Sequence, residues 1–192
     1  MIVAAAMTAL LLGGCAASTA GSSESVAAGG SSSTSASALL ARHGLAGDAV
    51  TVVDRLEKLG GSERPRDLMA SVRPTELELS DEDGTAALPI PADRFYLSVA
   101  PYAKSTHECY FHSLTTCQGE LSKRPVHLKI TGADGAVIVD EDTTTNANGF
   151  VGTWVPRGSS GTVEVTTSEG HGSRPFSTGD DDPTCMTTLK LS

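Results

Sequence analysis

The sequence predicts an α+β fold: a short N-terminal helical segment followed by a mainly antiparallel β domain, sandwich- or barrel-like. Three observations carry that prediction. Apolar residues recur every three positions through Val50, Val53, Leu56 and Leu59, the spacing of one helix face. From Thr75 the period changes, and runs such as Val126-His127-Leu128-Lys129-Ile130 alternate as half-buried strands do. Aromatics make up only 4 % of the chain, so Val, Leu and Ile must fill the core.

The first element is an address. Met1 to Leu12 (MIVAAAMTALLL) has the length of a signal-peptide apolar region and is too short to span a bilayer as a helix. Leu12-Gly13-Gly14-Cys15 resembles the bacterial lipobox, which implies cleavage before Cys15 and a lipid on its sulfur. A plain secretory signal with an incidental cysteine is the competing reading. Residues 1–15 are thus expected to be a lipoprotein signal. Residues 16–37, almost all Ala, Ser, Gly and Thr, are expected to be a flexible linker. The chain is then exported, lipid-anchored to the outer face of the cytoplasmic membrane or in the periplasm. Disulfides persist in that compartment.

Residues 38–74 form the expected N-terminal helical region. Ala38 to His43 is a short apolar-rich segment stopped by Gly44, and Asp48 can cap a second helix ended by Gly60-Gly61. Two short helices cannot bury both faces alone, so they pack on the rest of the chain or on a second copy, as a homodimer. Pro65 and Pro74 mark a connector. Residues 75–192 form the β-rich domain. Its strands are expected at Glu76–Leu79, Phe95–Val99, Val126–Ile130, Val137–Val139, Gly149–Val155, Gly161–Val165 and Cys185–Leu191, with Ala133-Asp134-Gly135 turning a hairpin.

Several function classes drop out. The net charge is −9 with no basic cluster, so nucleic acid is not an expected partner. No Ser/His/Asp grouping in a nucleophile context and no phosphate-binding glycine loop occurs.

The cysteines carry the remaining signal. With Cys15 lipidated, Cys109, Cys117 and Cys185 remain, an odd number for an exported protein. One structural disulfide, for which Cys109 and Cys117 are the near pair, plus one inert thiol is the first alternative. Three thiolates converging on one soft metal ion is the second. The Cys-x7-Cys spacing is not that of a zinc ribbon and suits a loop whose ends meet, with Cys185 arriving from a distant strand. Three sulfurs suit Cu(I), and a fourth ligand from His112 or His107 favours tetrahedral Zn(II). Either histidine can also serve as a base that lowers a thiol pKa. The same thiols can act in redox chemistry, since two of them passing to a disulfide release two electrons. A disulfide oxidoreductase acting on proteins ranks last, because no Cys-x-x-Cys occurs. Tyr110 and Phe111 are candidate shields of the site, and Trp154 is expected in the core.

Long stretches also resemble the CueP family of bacterial periplasmic copper-binding proteins: HGLAG (43–47), LMASV (68–72), FYLSVAPY (95–102), HECYFHSLTTCQGEL (107–121), NGFVGTWVPR (148–157) and DDPTCMTTLKL (181–191). The resemblance implies copper binding in the cell envelope, copper resistance and copper delivery to a superoxide dismutase. It implies a copper site of three cysteines, which map onto Cys109, Cys117 and Cys185. It further implies thiol-dependent reduction of Cu(II), and of Fe(III), with envelope thiol–disulfide oxidoreductases as partners that restore the thiols. The family architecture, a small dimerising N-terminal part before a copper-binding part, agrees with the helix-then-strand reading.

Overall fold

The computed structural model describes residues 28–192, with side chains from residue 35 onward. The signal segment, Cys15 and the first part of the linker lie outside the described residues. Among the described residues, no helix is long and apolar enough to cross a membrane.

Helix α1 (Ala28–Arg42) buries Ala36, Leu39 and Leu40. It begins inside the stretch that composition assigns to a linker. Helix propagation adds a hydrogen bond for each residue fixed, whereas nucleation is costly, and the packed turn at Ala36–Leu40 supplies the nucleus. Gly44, at φ +65°, ends the helix. Its N–H reaches Ala41 O at 3.1 Å and the Leu45 N–H reaches Leu40 O at 2.9 Å, the Schellman pair that a left-handed residue permits. Helix α2 (Ala49–Leu56) starts where expected, with the Asp48 carboxylate accepting from the Thr51 N–H at 2.8 Å. It buries Ala49, Val52, Val53 and Leu56, and it stops at Glu57, short of Gly60.

Both helices cover a four-stranded antiparallel sheet. Its strands are β1 (Met69–Val72), β2 (Glu76–Asp81), β3 (Gly84–Pro89) and β5 (His112–Ser113), in the order β3-β2-β1-β5. Strand β1 falls inside the region expected to be helical. Leu68, Ala70 and Val72 point inward and Met69 and Ser71 do not, a period of two too brief to stand out between two prolines.

The β domain is a sandwich of open sheets, not a closed barrel. One layer is β6 (Pro125–Gly132), β7 (Val137–Thr144), β9 (Ser160–Thr167) and β10 (Gly170–Ser177), antiparallel in the order β10-β9-β6-β7. The other is β4 (Arg94–Val99), β8 (Val151–Pro156) and β11 (Cys185–Met186), in the order β11-β4-β8. Phe95, Leu97, Val99 and Val155 meet Leu128, Ile130, Val163 and Val165 between the layers. The tail expected to be one strand pairs only at Cys185–Met186, parallel to β4, and then through a bridge of Tyr102 with Lys190.

Strand β4 is covered on both faces, so it reads as a continuous apolar run rather than an alternating one. Its odd-numbered residues enter the sandwich core. Tyr96 faces the helical layer, and Ser98 bonds to a side chain at the end of α2. The candidate site lies at this junction.

Candidate metal centre

Each cysteine is delivered by a different device. Cys185 sits on β11 opposite Ser98 of β4, and its N–H reaches Tyr110 O at 3.1 Å, which brings the loop carrying Cys109 alongside. Thr184 clamps the same place: its hydroxyl donates to Val72 O at 2.6 Å and accepts from the His112 N–H at 3.0 Å. Cys117 returns to the site through a tight turn, its N–H on Ser113 O at 3.1 Å. The Ser113 hydroxyl braces that turn by accepting from the Thr116 N–H at 3.2 Å. Beyond it, Gly119 and Gly149 stack backbone on backbone. A Cβ on Gly119 would lie 2.6 Å from Gly149 O, and Gly149 has φ +82°, so both positions require glycine. Glu120 ties down the approach to Cys109, accepting from the N–H groups of Ala103 and Lys104 at 2.7 and 3.0 Å.

These devices bring together Cys109, His112, Cys117 and Cys185, with all four ligand atoms within 4.8 Å of one another. Cys109 and Cys185 are joined in a disulfide, with Cα atoms 5.7 Å apart. The bridged pair is therefore not the near pair, Cys109 and Cys117. The β11–Tyr110 backbone bond puts Cys185 against Cys109, whereas the turn leaves Cys117 beside the bridge. Cys117 keeps a free thiol, with Sγ 3.4 Å from Cys109 Sγ.

His112 is fully buried, with the Phe150 ring centroid 4.5 Å from its own. Its Nδ1 lies 3.8 Å from Cys185 Sγ, and its Nε2 lies 2.8 Å from Glu57 Oε2. Burial favours the neutral ring, but the Glu57 carboxylate and the Cys117 sulfur override it and raise the His112 pKa to about 9. Burial likewise disfavours the Cys117 thiolate, yet His112 and His107 bring that thiol down from 9.0 to about 7. His107 stands at the edge of the cluster rather than in it. Its Nε2 is buried without a hydrogen-bond partner, and its ring meets the edge of Phe150.

The remaining expectations fare differently. Tyr110 is 54 % exposed and packs edge-on against Phe111, with Arg73 over the Phe111 ring, so Phe150 does the shielding. Trp154 is partly buried against Tyr96, its indole N–H on Asp54 at 2.9 Å. Met186, next to Cys185, faces the sandwich core, as strand alternation requires.

Sequence reasoning missed Glu57, Asn148 and Arg64. Glu57 is 3 % exposed and accepts from Asn148 Nδ2 and Ser98 Oγ besides His112. Arg64 is buried nearby, its Nε on Leu59 O at 3.2 Å. Burial lowers its pKa, against the opposing pull of Glu57 and Cys117. An Arg in a proline-flanked connector looks like a surface residue; for Glu57 the one available signal was its place at i+8 on the apolar stripe of Ala49, Val52, Val53 and Leu56.

Two clefts reach Cys109. One, of about 390 Å³, is walled mainly by apolar side chains including Leu97, Phe176, Pro183 and Met186. The other, of about 480 Å³, has a mixed lining that includes His107, Glu108 and Arg174. With the Cys109–Cys185 bridge reduced, the donor set fits a soft ion: three sulfurs and one imidazole nitrogen suit Cu(I) or Zn(II) better than hard cations.

The comparisons agree with this chemistry. The family model for periplasmic copper-binding protein CueP matches residues 51–190. A solved structure, "Crystal Structure of S.CueP", is 45 % identical, with a TM-score of 0.77 over 82 % of this chain and 98 % of that one. No curated protein matches. With the family match running through all three clustered cysteines and a solved member of the same fold at that identity, the chain belongs to the CueP family of periplasmic copper-binding proteins.

Proposed function

We propose that the chain holds one Cu(I) through the thiolates of Cys109, Cys117 and Cys185, with His112 Nδ1 as a further donor and His107 as a gate-side neighbour. The observation that carries this reading is the convergence of these ligand atoms within 4.8 Å at a junction closed by Phe150. Reduction of Cu(II) follows from the same thiols. Cys109 and Cys185 each lose a proton, two electrons pass to two Cu(II), and the products are two Cu(I), two protons and the disulfide. The pairing of these two cysteines supports that product state. Fe(III) accepts electrons by the same stoichiometry. An envelope thiol–disulfide oxidoreductase then restores the thiols. In the cell the outcome is copper resistance, with a copper-dependent superoxide dismutase as recipient. A lipid on Cys15 tethers the domain at the membrane face, and the N-terminal helices serve as a homodimer contact.

The second reading is a disulfide-stapled structural or interaction β domain on a lipid tether, favoured by the Cys109–Cys185 bridge itself. Competition of the reduced mature chain carrying Cys15→Ser against a Cu(I) chelator separates the two. One Cu(I) per chain, protecting three thiols and lost in Cys185→Ala, supports the copper site. No competitive binding, with a disulfide that resists mild reductant, leaves the structural domain. Zn(II) competing as well as Cu(I) would reassign the metal.

A further inference from the structure

The buried end of α2 does more than cap a helix. Glu57 Oε2 lies 2.8 Å from His112 Nε2, and Glu57 Oε1 accepts from Asn148 Nδ2 at 3.1 Å and Ser98 Oγ at 3.3 Å. Two separate partners besides His112, Asn148 and Ser98, therefore fix this carboxylate, and the carboxylate fixes the imidazole. Packing alone does not. The Phe150 ring lies against the His112 ring at 4.5 Å and sets its plane, but a half-turn about the Cβ–Cγ bond leaves that plane unchanged. Such a half-turn exchanges Nδ1 for a carbon on the edge facing Cys185 Sγ, where Nδ1 now stands at 3.8 Å. The 2.8 Å hydrogen bond at the far edge separates the two orientations more strongly than this 3.8 Å contact with sulfur, because a ring carbon cannot replace Nε2–H as donor.

We propose that Glu57 is the positioning residue of the cluster: its carboxylate holds Nε2–H of His112 and so turns Nδ1 toward the three sulfurs. The proposal rests on the copper reading above for its consequence, but not for its geometry. Carboxylates behind a ligating imidazole orient it and fix its tautomer. Here that carboxylate comes from the N-terminal helical layer, so the assembly of that layer becomes a condition for a complete donor set. The carboxylate is an acceptor only. The amide of Glu57→Gln has nearly the same shape, but it is a weaker acceptor and can also donate to a bare Nε2, which loosens the ring and admits the wrong tautomer.

The test uses the reduced mature chain carrying Cys15→Ser, in Cu(I) chelator competition and in metal-free ¹⁵N NMR of the His112 ring. Glu57→Gln is expected to weaken Cu(I) binding about 10- to 100-fold. In a His112→Ala background the same substitution should change it less than about twofold. Equal losses in both backgrounds would make Glu57 a structural residue and overturn the proposal. In the metal-free spectrum, the hydrogen-bonded Nε2–H signal of His112 should be present in the wild type and lost or moved in Glu57→Gln. An unchanged ring spectrum would overturn the proposal. A wild type that binds no Cu(I) defeats the copper reading, and the ring spectrum still decides the role of Glu57. Should Glu57→Gln not fold, Ser98→Ala removes one of the two donors on Oε1 and should weaken Cu(I) binding about threefold, again only when His112 is present. Loss of that effect, or its persistence without His112, counts against Glu57.

Discussion

Replacing His112 by Ala should make Cys117 a slower nucleophile at neutral pH, by an amount that can be worked out. In the oxidised protein Cys109 and Cys185 are bridged, so in a Cys15→Ser chain Cys117 is the free thiol. Burial pushes its pKa up, and His112 is the largest influence bringing it down to about 7. At pH 7 about half of the thiol is then thiolate. With the ordinary value of 9.0 restored, about 1 % is, a fall of about fiftyfold. The more basic thiolate is intrinsically more nucleophilic, by about eightfold for that difference at a Brønsted slope near 0.45. The net loss in alkylation rate is therefore about sixfold at pH 7, reversing to a gain above about pH 8. The assay is the pH profile of iodoacetamide alkylation at Cys117, read by mass spectrometry. A wild-type midpoint above about 8.5, or a midpoint near 7 that survives His112→Ala, would refute the assignment of the depression to His112.

Three further outcomes are expected. The raised pKa of His112 contributes stability that is whole below the ordinary value of 6.5 and is lost as pH climbs through about 9, so the Tm advantage of wild type over His112→Ala should shrink across that range. Because Cys117 Sγ stands 3.4 Å from Cys109 Sγ, its thiolate can displace Cys185 from the bridge, giving a Cys109–Cys117 disulfide and a Cys185 thiolate with no net oxidation; non-reducing peptide maps should show Cys109–Cys185 alone at pH 5 and both pairings at pH 8, and a single pairing at both pH values would rule the exchange out. Gly149→Ala should lower stability by about 2–4 kcal/mol in denaturant titration, from the left-handed backbone at φ +82° together with a Cβ 2.5 Å from Gly119 O, whereas Gly135→Ala, also at positive φ but in open space, should lose only about 1 kcal/mol.

What could be read in the sequence was what depends on residue type and short-range spacing. Cys109, Cys117 and Cys185 stood out because unpaired cysteines are rare in an exported chain, and His112 stood out as their neighbour. Helix α2 was legible from its period and its Asp48 cap. The hairpin of β6 and β7 was legible from alternation broken by Asp134-Gly135. The missed strands share a physical cause. Strand β10 contains Gly170, Gly172 and Pro175, which argue against a strand, but it lies at a sheet edge where proline lacks no ladder partner. Strand β5 is two residues long and exists because β1 pairs with it. The disulfide partner of Cys109 was illegible for a related reason. Connectivity follows from which backbone segments pair, and the sequence does not carry that.

Glu57 marks the same limit from the other side. Helical spacing puts Glu57 on the buried stripe of Ala49, Val52, Val53 and Leu56 and leaves Asp54 and Lys58 exposed, but a charged residue on that stripe at a helix end reads as its solvated edge. Its burial arises only when α2 docks across β4, because β4 turns Ser98 toward the helix end while its odd residues fill the sandwich core. The strand that separates the two cores thus presents one hydroxyl to Glu57 and pairs through the same residue with Cys185. Ser98 is therefore the point at which the helical layer and the sulfur cluster share a framework. A shift of α2 relative to β4 moves the His112 support and leaves the cysteines in place. On this geometry the fold divides two tasks: β11 of the sandwich and the turn after β5 bring the sulfurs together, and the end of α2 aims the imidazole at them.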